Sequence, residues 1–138
     1  MKNGRTYAEI IDRLRQAGLR PTRQRIALAG LMYSGGDRHL SAEILHGEAL
    51  RARVPVSLAT VYNSLHQFTA RGLLREIVID GGRSYFDTNV SDHHHFYFEN
   101  EGRLEDIPAE DVVVAALPKA PGRTRISRVD VIVRVREV

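Results

Sequence analysis

The sequence predicts an α+β fold laid out in two parts, and three observations carry that prediction. Residues 6–71 place apolar side chains at helical spacing between capping signals. Two β-like runs flank Asp80-Gly81-Gly82 and read as a hairpin. After residue 92, short alternating runs are mixed with a single helix start.

Each helix is justified by its punctuation. Thr6-Tyr7-Ala8-Glu9 is a capping box, in which the Thr hydroxyl and the Glu carboxylate satisfy each other's backbone N–H groups. Ile10, Ile11 and Leu14 follow as an apolar stripe, and Gly18 ends that helix. A second helix begins after Pro21-Thr22, carries Ile26, Ala27, Leu28, Leu31 and Met32, and breaks at Ser34-Gly35-Gly36. A third starts at Ser41 and stops before Val54-Pro55, because a residue preceding proline avoids the helical region. A fourth starts at Ser57 and runs through Val61, Leu65 and Phe68 to Arg71, with Gly72 beyond its end.

The strands come next. Leu73–Ile79 and Arg83–Asp87 pair across the Asp80-Gly81-Gly82 turn. Helices followed by such a hairpin describe a winged helix-turn-helix. A composition shift near 87–92 marks a hinge. Beyond it, His94–Glu99 and Arg103–Ile107 are expected as strands joined by Asn100-Glu101-Gly102. Pro108-Ala109-Glu110-Asp111 suits a helix start, so a helix is expected over Val112–Leu117. Arg128–Val135 alternates and reads as a final strand. A layer this thin is expected to pair its edge with a second copy of the chain.

Composition narrows the function. The chain has 138 residues, 43% apolar and 27% charged, as in an ordinary globular protein. No apolar run approaches the roughly 20 residues that span a bilayer, and the opening MKNGRTYAEI has no apolar leader stretch. The expected location is the cytoplasm, with no membrane partner. Zero cysteines exclude disulfides, thiolate catalysis and Cys-based zinc sites. Residues 1–75 carry a net charge of +7 and residues 76–138 carry −4, so the first half suits a polyanion.

Two constellations carry chemistry. Ser57, Ala59, Thr60, Tyr62 and Asn63 lie on or beside the face of the fourth helix opposite Leu58, Val61 and Leu65. Small, hydrogen-bonding residues near a helix N-terminus fit the DNA major groove. Arg20, Arg23, Arg25, Arg51, Arg53 and Arg71, with Arg83 at the hairpin, are placed to neutralise phosphates around the same face. The second constellation is Asp87 and Asp92-His93-His94-His95, with Glu105-Asp106 and His39. In a strand, His93 and His95 share one face while His94 points away. Two imidazoles among carboxylates form a mixed N/O set suited to Fe²⁺, Mn²⁺ or Zn²⁺. His46 and His66 read as ordinary structural or surface residues. Nothing suggests a substrate cleft beside the cluster, so no enzyme is expected.

AGLRPTRQRIALAGL, SLATVYNSLHQFTARGLL, GGRSYFDTN and DHHHFYFENEGRLEDI together resemble the ferric uptake regulator (Fur) superfamily along nearly the whole chain. The HHH strand followed by EGRLEDIP, and the close RVDVIVRVRE, are most similar to its iron response regulator (Irr) branch. The resemblance implies a winged-helix DNA-binding domain over 1–87, a hinge over 88–92 and a dimerisation and metal- or haem-sensing domain over 93–138. It also implies a homodimer on an A/T-rich palindromic operator in double-stranded DNA. Tyr62 falls where the family contacts the major groove, and Arg20 where it places a basic residue in the minor groove. Asn63 stands where many relatives carry arginine.

The family's regulatory metal site maps onto His39, Asp87, His93, His95 and Asp106. Phe98 and Glu101 occupy positions of its zinc cysteines, so a structural Cys₄ zinc is not expected. Ser127 and Arg128 stand near a further family histidine. One divalent metal per subunit is therefore implied. In the Irr branch haem is the effector, and without a Cys-Pro motif it would need His93, His94 or His95. The alternative is an Fe- or Mn-dependent Fur-type or peroxide-sensing repressor. Binding of a protein rather than DNA, or metalloenzyme chemistry, would be the reading from outside this class.

Overall fold

The computed structural model describes residues 5–80 and 82–138 of the chain. It is a mixed helix and sheet structure that divides into two compact units, Met1–Val90 and Ser91–Val138. Gly81, at the centre of the expected turn, lies outside the described residues.

The first unit is built by its caps. In α1 (Tyr7–Gln16), Thr6 N–H donates to Glu9 Oε1 at 2.9 Å and Glu9 N–H donates back to Thr6 Oγ1 at 3.2 Å. Ser or Thr hydroxyls cap the other three helices in the same way: Thr22 for α2 (Arg23–Met32), Ser41 for α3 (Ala42–Arg51) and Ser57 for α4 (Leu58–Ala70). Each such cap stabilises by about 1 kcal/mol. Beyond α1 the chain turns through Gly18 at φ +77°, where the Arg71 guanidinium donates to the Ala17 and Gly18 carbonyls. Arg71, expected to face phosphates, therefore covers the open end of α1.

Leu14, Leu28, Leu45, Val61, Leu65 and Phe68 meet in one core with no exposed surface. Leu40 and Phe86 enter that core from a three-stranded sheet of order β1-β3-β2. Its strands are β1 (His39–Leu40), β2 (Arg75–Asp80) and β3 (Arg83–Asp87), paired antiparallel. The hairpin is where the sequence places it. The two-residue β1 was not foreseen, since a run that short has no periodicity to read.

The second unit holds β4 (His94–Phe98), β5 (Arg103–Ile107) and β6 (Ile132–Val135), in the order β5-β4-β6. β4 pairs with β5 antiparallel and with β6 in parallel. Gly102, at φ +64°, closes the β4–β5 turn, a conformation that costs glycine little. The helix expected over Val112–Leu117 does not form. Proline and acids start only a 3₁₀ turn, Ala109–Asp111, and Val112–Leu117 then carry neither helix nor strand. Three consecutive β-branched valines, 112–114, oppose helix propagation, because each loses side-chain rotamer freedom there. The final strand covers four residues rather than the whole of 128–135. Among the described residues, no helix is long and apolar enough to cross a membrane.

Candidate metal centre and nucleic-acid interface

The first unit offers one pair of metal-ligating side chains. His39 and Asp87 are direct partners in the β1–β3 ladder, which brings His39 Nε2 to 3.1 Å from Asp87 Oδ2. The carboxylate is 1% exposed, and its other oxygen accepts the Asn89 N–H at 2.9 Å. The ladder is anchored one residue further out. Arg38 N–H donates to Thr88 Oγ1 at 2.9 Å, and Thr88 N–H donates to the Arg38 carbonyl at 3.1 Å. The Arg38 guanidinium is itself held by Glu48 of α3 and by the Leu31 carbonyl. A strand of two residues thus owes its register to polar contacts at its end, and that register aligns the imidazole with the carboxylate.

The second unit offers three more. Alternation along β4 buries His95 and Tyr97 on one face, with His93 just before the strand also turned inward. His95 and Asp106 are cross-strand partners. Asp106 Oδ1 lies 3.2 Å from His93 Nε2 and 3.4 Å from His95 Nε2, and the two rings stand 4.6 Å apart. His93 and His95 are 5% and 1% exposed, whereas the Asp106 side chain is 44% exposed. His93 Nδ1 is 2.6 Å from the Ser91 carbonyl. A carbonyl can only accept, so Nδ1 carries a proton and Nε2 is the nitrogen turned towards Asp106. Such outer hydrogen bonds orient metal-binding imidazoles in general.

His94 is built for something else. It lies on the other face of β4, and its Nδ1 accepts the Val131 N–H at 3.1 Å. A neutral ring that accepts at Nδ1 carries its proton on Nε2 and has no lone pair there for a metal. Of the three histidines expected to share a haem, His93 and His95 therefore stand together and His94 stands apart. Glu105 points to Arg103, 3.5 Å away, and Asp92 is exposed. Two imidazoles and a carboxylate, like the His–Asp pair of the first unit, match the N/O chemistry of Mn²⁺, Fe²⁺ or Zn²⁺.

The basic unit carries a second candidate surface. On α4, Ala59, Asn63 and Gln67 are exposed, while Thr60 and Tyr62 are partly so. A polar cleft of about 410 Å³ brings Arg20, Gln24, Arg25, Thr60, Asn63 and Gln67 together from the α2 and α4 sides. Arg25 spans it by donating to the Arg20 carbonyl at 2.9 Å and to Gln67 Oε1 at 3.1 Å. Arg20 is exposed at the edge. Ser57 spends its hydroxyl on the cap, accepting from Thr60 N–H and donating to Thr60 Oγ1. Arg83 is exposed where the hairpin begins its return and lines a cleft with Tyr62. Arg23, by contrast, lines an apolar cleft with Tyr7 and Ile26, away from the polar one.

Sequence reasoning missed Gln67 and Glu43. Gln67 was recoverable, since it lies one turn beyond Asn63 on the same helix face. Glu43 accepts a hydrogen bond from Tyr62 Oη at 2.8 Å, across a sequence gap that no local pattern could signal.

With the geometry in hand, the comparisons with known proteins are specific. The ferric uptake regulator family pattern matches residues 16–128. The ferric uptake regulation protein of Legionella pneumophila is 36% identical over 100 residues, covering 72% of this chain and 74% of that one. The peroxide operon regulator of Bacillus subtilis is 35% identical over 99 residues, covering 71% and 66%. Among solved structures, the ferric uptake regulator from Pseudomonas aeruginosa with manganese superposes with a TM-score of 0.71 at 27% identity. That match covers 93% of this chain and 97% of the other.

Proposed function

The chain belongs to the ferric uptake regulator family, whose members are dimeric DNA-binding transcription regulators and not enzymes, and on that premise we propose a metal-gated mechanism for it. One divalent cation would take His39 and Asp87 from the first unit and His93, His95 and Asp106 from the second. The observation that carries this reading is the Asp106 carboxylate set against two buried imidazoles, with the Ser91 carbonyl turning His93 Nε2 towards it. The bound cation would supply positive charge that offsets the buried Asp87 and fixes both histidines as neutral ligands. A relative solved with manganese supports a divalent cation as the occupant.

The first unit then acts as a winged helix-turn-helix. α4 is the reading helix, with Ala59, Thr60, Tyr62 and Asn63 facing the major groove. Arg20 and Arg83 contact the backbone or minor groove beside it. Residues 88–92 form the hinge, and the sheet of the second unit, together with the exposed Val113 and Leu117 of the segment between β5 and β6, forms the dimer contact. Because a dimer must place two reading helices about one helical turn apart, linking the units through a cation sets whether both can dock at once. The operator expected is an A/T-rich palindrome.

The Irr branch and a haem effector rest on the HHH strand and the EGRLEDIP segment alone. Haem ligation would have to use His93 or His95 and so compete with the cation, since His94 has committed its Nδ1. Fluorescence anisotropy of chelator-treated protein on an A/T-rich palindrome, with Mn²⁺ and separately with haem added, decides. Binding only with Mn²⁺ supports metal gating. Equal binding with and without Mn²⁺ overturns it, and release by haem would establish the haem-responsive alternative. Iron-dependent oxidation of His39 or His93 would mark a peroxide sensor.

A further inference from the structure

We propose that Glu43 is a specificity-determining residue, acting by fixing Tyr62 as a hydrogen-bond acceptor towards DNA. The inference rests on the reading role given to α4 above. A phenolic hydroxyl has one proton to donate and lone pairs to accept with. Tyr62 Oη donates that proton to Glu43 Oε2 at 2.8 Å. A carboxylate only accepts, so the contact has a single polarity, and only the lone pairs of Tyr62 remain for a partner.

Two further features hold this arrangement in place. The Tyr62 ring stacks on His66 at 6.4 Å, and His66 meets Phe86 edge-on at 5.6 Å. Phe86 is fully buried, so the phenol stands on a ladder founded in the core. On the other side, Ser41 caps α3 by accepting Ile44 N–H, which fixes the first turn that carries Glu43. Glu43 also pushes the Tyr62 phenol above its ordinary value, chiefly through this hydrogen bond.

The polarity dictates what Tyr62 accepts. Exocyclic amines, N6 of adenine and N4 of cytosine, are the donors in the major groove, whereas thymine O4 and guanine O6 are acceptors. An acceptor-only hydroxyl is satisfied by an amine at its position and left facing a lone pair by a keto oxygen. It cannot donate to a phosphate either. A carboxylate near the DNA face also weakens binding to every sequence through repulsion of phosphates. What Glu43 contributes is therefore discrimination, not adhesion.

The test uses the full chain with Mn²⁺ on a randomised duplex pool, followed by inversion of each base pair of the selected operator. The expected result is one position per half-site where an amine is preferred over a keto oxygen by about fivefold. Tyr62→Phe should abolish that preference. Glu43→Ala should also abolish it, while tightening binding to all duplexes. The double variant should show no more loss than Tyr62→Phe alone, a pattern that a merely structural role for Glu43 would not produce. Glu43→Ala with the preference intact would overturn the assignment. Selection of no sequence by the unaltered chain would instead overturn the reading role of α4, and the proposal with it.

Discussion

Replacing Asp106 by asparagine isolates the contribution of one carboxylate to cation binding. The substitution preserves shape and removes charge at a side chain that is 44% exposed, so the metal-free fold should change by less than about 0.5 kcal/mol. The effect on the metal-bound state is larger, because a single oxygen of Asp106 faces both His93 and His95. At Mn²⁺ a hundredfold above its dissociation constant, binding stabilises the native state by about 2.7 kcal/mol. For 138 residues the unfolding entropy is about 0.29 kcal/mol per kelvin, which converts that figure to a rise of about 9 °C in Tm. Weakening the site about a hundredfold leaves about 0.4 kcal/mol, or a rise of 1–2 °C by the same conversion. Differential scanning calorimetry with and without Mn²⁺, against a chelator control, reads both values. An asparagine variant that keeps the full rise would refute the ligand assignment, and absence of any rise in the unaltered chain would refute the metal site.

Three other outcomes follow from the same structure. Arg83→Ala should weaken DNA binding uniformly across sequences and lower the slope of log affinity against log salt by about 0.9; an unchanged slope would place Arg83 off the phosphates. Phe86→Ala, at a fully buried position beside Asp87, should cost about 3–5 kcal/mol in urea unfolding, and a loss below 1 kcal/mol would contradict the packing. Glu9 is held below its ordinary value of 4.5, first by the Thr6 backbone N–H and then by its hydroxyl. A lowered carboxylate contributes stability that is present above its unfolded value and lost as pH falls through the folded one. The stability difference between the unaltered chain and Glu9→Ala should therefore shrink below about pH 4.5; a constant difference down to pH 2 would exclude this role.

Local chemistry was legible in the residues, and long-range pairing was not. The Thr6–Glu9 box and the Ser41 and Ser57 caps place helix starts where they are found, because a cap is a contact within one turn. The side-by-side placement of His93 and His95 follows from strand alternation alone. The pairing of His39 with Asp87 depends on a two-residue strand whose register is fixed by Arg38 and Thr88, fifty positions apart in the chain. Proline and acids signalled a helix after residue 108, but the valines that follow decided the outcome. Charge counting placed Arg25 and Arg71 on the DNA side without seeing that both are engaged by backbone carbonyls of their own unit.

The order of strands in the second unit has a kinetic consequence. β4 and β5 meet through the short turn at 99–102, and between them they position His93, His95 and Asp106. β6 joins β4 in parallel only after the segment 108–131 has closed. Closing a long loop is the slow event in assembling non-local pairs, whereas a tight hairpin forms in microseconds. The ligand set of this unit thus sits on the local hairpin, and the pairing of β6 is the non-local step of this sheet. A cation bound by these three groups would stabilise the hairpin whether or not the last strand has paired.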